Sequence, residues 1–385
     1  MLGGGMASFD WQRVQADFPV NQRLIWLNNC GTTPPPRAVL SALERHHQAY
    51  AERGILGVVD LEALHDSVRG RLARMLEVAA DELCLVHHTT EAMTFVSHGL
   101  RLRAGDEILL LEHEYPSNVY PWEHWRQKGV RLTTLPLAPT PEQLLETFHG
   151  ALTAATRVVS VSAVHWCTGM PLPLEPMAAA CEARGIELVV DAAQGAGLLP
   201  LDLGRLRIGY MGFSAWKWLL GPLGLGVLYV RRDKLPKLSF PFKGTGSVVD
   251  DHVYLPYRDE LKAGTDRYVL STPNVNDWIY FDASLEYLEN IGFERVRHRI
   301  IELAGRLVAA LRERGFIIAH DDFSRHPTGI VAVHKPGLNS DAVVARLAEA
   351  GVVAASRLGR VRLAPHVYLS EAQIDAAVER LTALC

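Results

Sequence analysis

Cysteine is scarce in this chain: five in 385 residues (Cys30, Cys84, Cys167, Cys181, Cys385), odd in number, scattered, with no CxxC pair. Such a set excludes a disulfide or zinc framework and points to a reducing compartment, so the expected location is cytoplasmic. Positive charge is not in excess either. Thirty-nine Lys and Arg against 43 Asp and Glu leave a formal net charge of −4, which offers no electrostatic footprint for nucleic acid or an anionic membrane. The opening MLGGGMASFDW has no basic segment leading into an apolar one, so no secretory signal is expected; Met6 offers an alternative start, with the glycines before it unstructured. Internal repeats and low-complexity stretches are absent.

What is present is an ordinary globular composition, 48% hydrophobic and 21% charged, in a chain longer than one typical domain and short for three. One long apolar run, Ile208 to Val230 (IGYMGFSAWKWLLGPLGLGVLYV), could cross a bilayer by length. Lys217 at its centre, Pro222 and five glycines (Gly209, Gly212, Gly221, Gly224, Gly226) speak against that. The GxxGxG within it precedes a strand rather than opening a helix, which removes the dinucleotide-loop reading.

Apolar strand-like runs alternate with helical patterns through the middle of the chain. ELCLVHHTT leads to EAMTFVSHGLRL, DEILLLEHEY to VYPWEHWRQKG, VRLTTLPL to PEQLLETFHGALTAA, and TRVVSVSAV to EPMAAACEARG; IELVVDAAQ, YMGFSAWKW and GVLYVRR follow. Strand–helix alternation with continuously apolar strands is the signature of an α/β fold, a largely parallel sheet covered on both faces. Ligands bind such sheets beyond the carboxyl ends of the strands. A looser region from Pro241 to about Asn276 precedes a long helical pattern, and the remainder reads as a small α/β unit. The expected division is an N-terminal segment (1–30) packing beside the small domain, a large domain (31–285) and a small domain (286–385).

The chemistry centres on Lys217, the only charge in its apolar run. Burial disfavours the ammonium, so its pKa falls and the free amine can form a Schiff base with an aldehyde. A second isolated charge, Asp191, ends the strand of GIELVVDAAQ. A carboxylate there is costly unless it meets a cation or a proton donor. Together they suggest pyridoxal 5′-phosphate, with Lys217 holding the aldehyde and Asp191 the protonated ring nitrogen. In HTTEAM the hydroxyls of Thr89 and Thr90 and the backbone N–H groups would face a phosphate at a helix N-terminus. The same residues also read as a plain Thr cap with Glu91 in the first turn.

From LNNCGTTPPP through DAAQ and SAWKWLLGPLGLG to RLAPHVYLSEAQID, the sequence resembles the class V aminotransferase family of fold-type I pyridoxal phosphate enzymes, which includes cysteine desulfurases, C–S lyases and isopenicillin N epimerase. The resemblance implies a large domain with a mostly parallel seven-stranded sheet, a small C-terminal domain, and a homodimer with shared sites. It gives Ser214 a phosphate contact and puts Trp216 where the family usually has His. His113, in LEHEYPSN, matches the residue that stacks on the cofactor ring; a lone His at a strand end also reads as structural. Gln194 suits the cofactor's phenolic oxygen, or else a helix N-terminal amide. Thr272 matches a threonine that reaches the neighbouring subunit's phosphate. At the substrate end stand Asn29, His165 beside Trp166, and Arg362, the match for the arginine that grips the α-carboxylate, unless it is a surface arginine on a C-terminal strand. A desulfurase of the usual mechanism needs a mobile cysteine in or before the small domain, and none lies between Cys181 and Cys385. Cys30 lies near the site mouth by motif, or is a small buried hydrophobe. The expected reaction is therefore β-elimination from a cysteine conjugate, with epimerase or aminotransferase as alternatives. Intact Lys217, Asp191 and Arg362 argue against a non-enzymatic role.

Overall fold

Alternating side chains along each central strand enter two different hydrophobic clusters. Leu109 and Leu111 lie in one, Ile108 and Leu110 in the other; Val159 and Val161 face opposite to Val158, and Val227 and Tyr229 opposite to Leu228 and Val230. This is why the strands read as unbroken apolar runs: both faces are covered. The computed structural model describes residues 9–239 and 242–384, so Cys385 and the glycines at the N-terminus lie outside the described residues. Its central sheet comprises β1 (Leu83–Val86), β2 (Glu107–Leu111), β3 (Arg131–Leu135), β4 (Thr156–Ser162), β5 (Glu187–Asp191), β6 (Tyr210–Ser214) and β7 (Gly226–Val230). They lie in the order β1-β7-β6-β5-β4-β2-β3. β7 runs antiparallel to both neighbours, and the remaining pairs are parallel.

The helix Thr89–Gly99 buries Ala92, Met93 and Val96 on one face of the sheet; Pro141–Ala151 and Leu174–Ala183 bury Leu144, Phe148 and Met177 on the other. The segment VYPWEHWRQKG departs from its helical pattern. Only Tyr120–Glu123 is α-helical, and a 3-10 turn follows at Arg126–Lys128. Two buried indoles hold the chain in this form, Trp122 donating to Ser160 Oγ at 3.1 Å and Trp125 to the Ser97 carbonyl at 3.1 Å.

Residue 285 lies inside the helix Val275–Ile291, and the chain next breaks at Gly292, whose φ of +95° suits glycine. A second helix, Phe293–Glu313, leads into a four-stranded antiparallel sheet ordered Ala355–Arg357, Arg360–Leu363, Val331–His334, Ile317–Ile318. The N-terminal segment packs against this part: Ile25–Trp26 pairs in parallel with Val352–Val353, and Asn21 Nδ2 donates to the Tyr368 carbonyl.

Candidate active site

The carboxyl ends of the strands deliver the polar residues of one cavity of about 320 Å³. After β1, His88 caps the helix Thr89–Gly99, its ring nitrogen accepting from the Glu91 N–H. Thr89 then shares a 2.6 Å hydrogen bond with Ser214 Oγ, the last residue of β6, and Thr90 a 2.7 Å bond with Ser117. The helix can lie this close because position 212 has no side chain: a Cβ there would stand 2.8 Å from Ala92 Cβ.

Asp191 ends β5, 3% exposed, with one carboxylate oxygen accepting from the Ala193 N–H at 2.8 Å. Burial raises its pKa and the Lys217 charge opposes the rise. Lys217 follows β6 on a turn closed by the Gly221 N–H bonding to the Ala215 carbonyl at 2.8 Å. Enclosure lowers its pKa, against the pull of Asp191. Its ammonium lies 5.7 Å from the Tyr115 ring centre.

At the other end stands Arg362, 2% exposed. One Nη donates to the Trp166 carbonyl at 2.7 Å, while its buried Nε has no partner. Gln194 ties the wall together, donating to the Cys30 carbonyl at 2.8 Å and accepting from Trp218 Nε1 at 3.1 Å. Lys217, Asp191, Thr89, Thr90, Gln194, Ser214 and Arg362 thus share one cavity, with Trp216 and Cys30 also on its wall. An unpartnered guanidine nitrogen, a hydroxyl pair at a helix start, a buried carboxylate and a desolvated amine fit the groups of pyridoxal phosphate and an amino-acid carboxylate.

Four residues assigned from the sequence lie off that wall. His113 adopts a left-handed φ of +56° and its side chain is 60% exposed; its carbonyl, not its ring, takes part, accepting from Trp166 Nε1 at 2.7 Å. His165 is buried, accepting from the Thr168 N–H and facing the His113 carbonyl at 3.2 Å. Burial pushes its pKa down to about 4, so it is neutral at pH 7. Asn29 spends its amide on the Trp26 and Ala364 carbonyls and its oxygen on the Tyr368 hydroxyl, at 2.6–3.0 Å. Thr272 lines a neighbouring depression with His87, Glu91 and Trp278.

Tyr115 and Ser117 are on the wall and carried no site assignment from the sequence; Arg357, second in line after Arg362 for the carboxylate, is there as well. After the left-handed residue at 113 the chain brings Tyr115 to the cavity wall, still 45% exposed, and the aromatic two places beyond LEH was the available signal. Glu114, also missed, is buried beneath this turn. It accepts from the Ser162 N–H at 2.6 Å, the Ser162 hydroxyl and the Tyr115 N–H. Burial pushes its pKa up to about 8, reinforced by nearby Asp191.

The family model for aminotransferase class-V matches residues 25–373. This chain belongs to that family. A cysteine desulfurase of Salmonella dublin is 31% identical over 305 residues, covering 75% of this chain and 74% of that one. The apo structure of a cysteine desulfurase from Thermococcus onnurineus NA1 superposes with a TM-score of 0.88 at 25% identity, covering 98% and 99% of the two chains. The fold is shared as well with the cystine C–S lyase C-DES in complex with its product cysteine persulfide: TM-score 0.88, 24% identity, 95% and 99% coverage. Among the described residues no helix is long and apolar enough to cross a membrane.

Proposed function

We propose that this protein is a homodimeric pyridoxal phosphate enzyme that cleaves a C–S bond of a cysteine conjugate by β-elimination. The observation that carries the reading is the single cavity holding Lys217, Asp191, the Thr89–Ser214 pair and Arg362. Thr89, Thr90 and Ser214 would hold the cofactor phosphate, helped by the N–H groups of the helix start. Tyr115, its ring centre 5.7 Å from the Lys217 amine, is on the wall where His113 is not, and it would face the cofactor ring. When bound, the cofactor supplies a sink for the electron pair left by breaking a bond at Cα.

Arg362 fixes the substrate α-carboxylate, directing its free Nε and an Nη as paired donors. Asp191 keeps a proton on the ring nitrogen. Lys217, with its pKa lowered by enclosure, takes the Cα proton as a neutral amine. The Cβ–S bond then breaks, the thiolate leaves with its electron pair, and the released aminoacrylate hydrolyses to pyruvate and ammonia. Desulfurase relatives raise the alternative of sulfur transfer to an enzyme cysteine. Against it, the hairpin before Arg362 (Ala355–Arg357 and Arg360–Leu363) turns in two residues and holds no cysteine.

The test is a panel of cysteine S-conjugates followed for pyruvate, thiol and alanine, with wild type and a variant whose five cysteines are replaced by Ser or Ala. Pyruvate should appear in step with thiol, and the cysteine-free variant should keep its rate within about tenfold, allowing for ordinary destabilisation of buried sites. Alanine as product, or a persulfide on Cys30, would overturn the lyase in favour of a desulfurase. Inversion at Cα without pyruvate would favour an epimerase.

A further inference from the structure

The hairpin that carries Arg362 presents three arginines on one face. Arg357 stands directly opposite Arg360, and Arg362 opposite Ala355. In an antiparallel pair, opposed residues and every second residue along a strand share a face. The two-residue turn Leu358–Gly359, with φ of +48° and +74°, fixes that register. Like charges directly opposed across strands are destabilising, and no acidic residue relieves them here. Arg357 bonds to the Ser356 carbonyl, Arg360 to the Leu358 carbonyl, and Arg362 to the Trp166 carbonyl. Among the described residues none of the three is ion-paired with a carboxylate. The Nε atoms of Arg360 and Arg362 are buried without a partner.

One arginine suffices to hold an α-carboxylate. Arg357 and Arg362 both line the cavity; Arg360 is not on its wall but stands opposite Arg357 on the same face of the hairpin. Tyr115 and Trp166, packed edge to face at 5.5 Å, add an apolar stretch of the same wall. A site with two cationic positions and an apolar wall suits a ligand with two anionic groups joined by a short carbon or thioether chain. We infer that Arg357 and Arg360 form a second anion subsite, selecting amino acids whose side chain ends in a carboxylate or similar anion. This rests on the reading that the cavity binds an α-amino acid at Arg362, and it names the class of side chain.

Two ligands without a β-leaving group decide it independently of C–S cleavage: L-norleucine, and L-2-aminoadipate, in which a carboxylate replaces the terminal methyl. Their binding to the cofactor-loaded enzyme is measured by calorimetry. Wild type should bind 2-aminoadipate at least about tenfold more tightly, the scale of one charge-assisted hydrogen-bonded pair. Arg357→Gln and Arg360→Gln should each shrink that preference to about threefold or less, and the norleucine affinity should move by less than about threefold. Arg357 is exposed, so its variant tests binding without burdening the fold. Equal affinities in wild type, or a preference that survives in the Arg357→Gln, Arg360→Gln double variant, would overturn the subsite while leaving the amino-acid reading intact. Failure of both ligands to bind would overturn both.

Discussion

Glu114 shows how one buried acid couples the site to pH. Its carboxyl moves from an ordinary 4.5 up to about 8 because burial disfavours the charge, with Asp191 adding to it. An acid whose folded pKa is raised contributes stability that is full below its unfolded pKa and is lost as pH rises through the folded one. The window is therefore pH 4.5 to 8. At about 1.4 kcal/mol per pH unit across it, the wild type should lose on the order of a few kcal/mol there. Glu114→Gln keeps an oxygen acceptor for the Ser162 N–H and removes the charge. Denaturant titrations at pH 5 and pH 8 should show the variant's stability falling much less than the wild type's; parallel losses would place the titration elsewhere. Lys217 and Asp191 belong to the same physics, isolated charges in apolar surroundings, and that is why they stood out in the sequence. Glu114 did not, because EHEY is polar throughout and nothing in it says which acid turns inward.

Among the elements, the contact between the helix Thr89–Gly99 and β6 positions the proposed phosphate end. It depends on Gly212, where a Cβ would meet Ala92 Cβ at 2.8 Å. Gly212→Val should force the helix outward, costing about 1–3 kcal/mol of stability by overpacking. The Thr89–Ser214 hydrogen bond should lengthen with it, so cofactor affinity should fall alongside the denaturation midpoint. Loss of stability with unchanged cofactor affinity would uncouple helix seating from the site. The strands themselves were legible, since two-sided burial writes itself as unbroken apolar runs. Two things at this scale were not. The 119–129 stretch has helical spacing, yet buried tryptophans that need hydrogen-bond partners hold it in short turns. The aromatic at 115 reaches the cavity wall just after a left-handed residue at 113, which no periodicity encodes. Asn29 and His165 were read as pocket residues from their place in motifs, and their side chains instead bond to the protein's own loops.

At the scale of the whole molecule, Thr272 lines a depression separate from the cavity. Ile55 and Leu56 are 79% and 82% exposed, and Tyr254 77%, apolar surface of the kind an interface buries. Mixing two impaired proteins tests the proposal that two copies share a site. Lys217→Ala lacks the amine, and Thr272→Asp sets a negative charge against a phosphate. If Thr272 acts across the dimer, a hybrid has one intact site, and re-associated mixtures should recover activity that neither parent has. If it acts within its own chain, mixing should restore nothing.

The pairing of the chain's beginning with its end has a further consequence, for manufacture. Asn21 bonds to a residue 347 positions later, and Ile25 waits for Val352 as its strand partner. At synthesis rates of roughly 5–20 residues per second, that is about 20–70 s during which the first segment has left the ribosome without its counterpart. The strand ending in Asp191 and the turn bearing Lys217 emerge well before then. The proposed cofactor end can therefore assemble on the nascent chain, while the wall carrying Arg362 closes only near the end of translation.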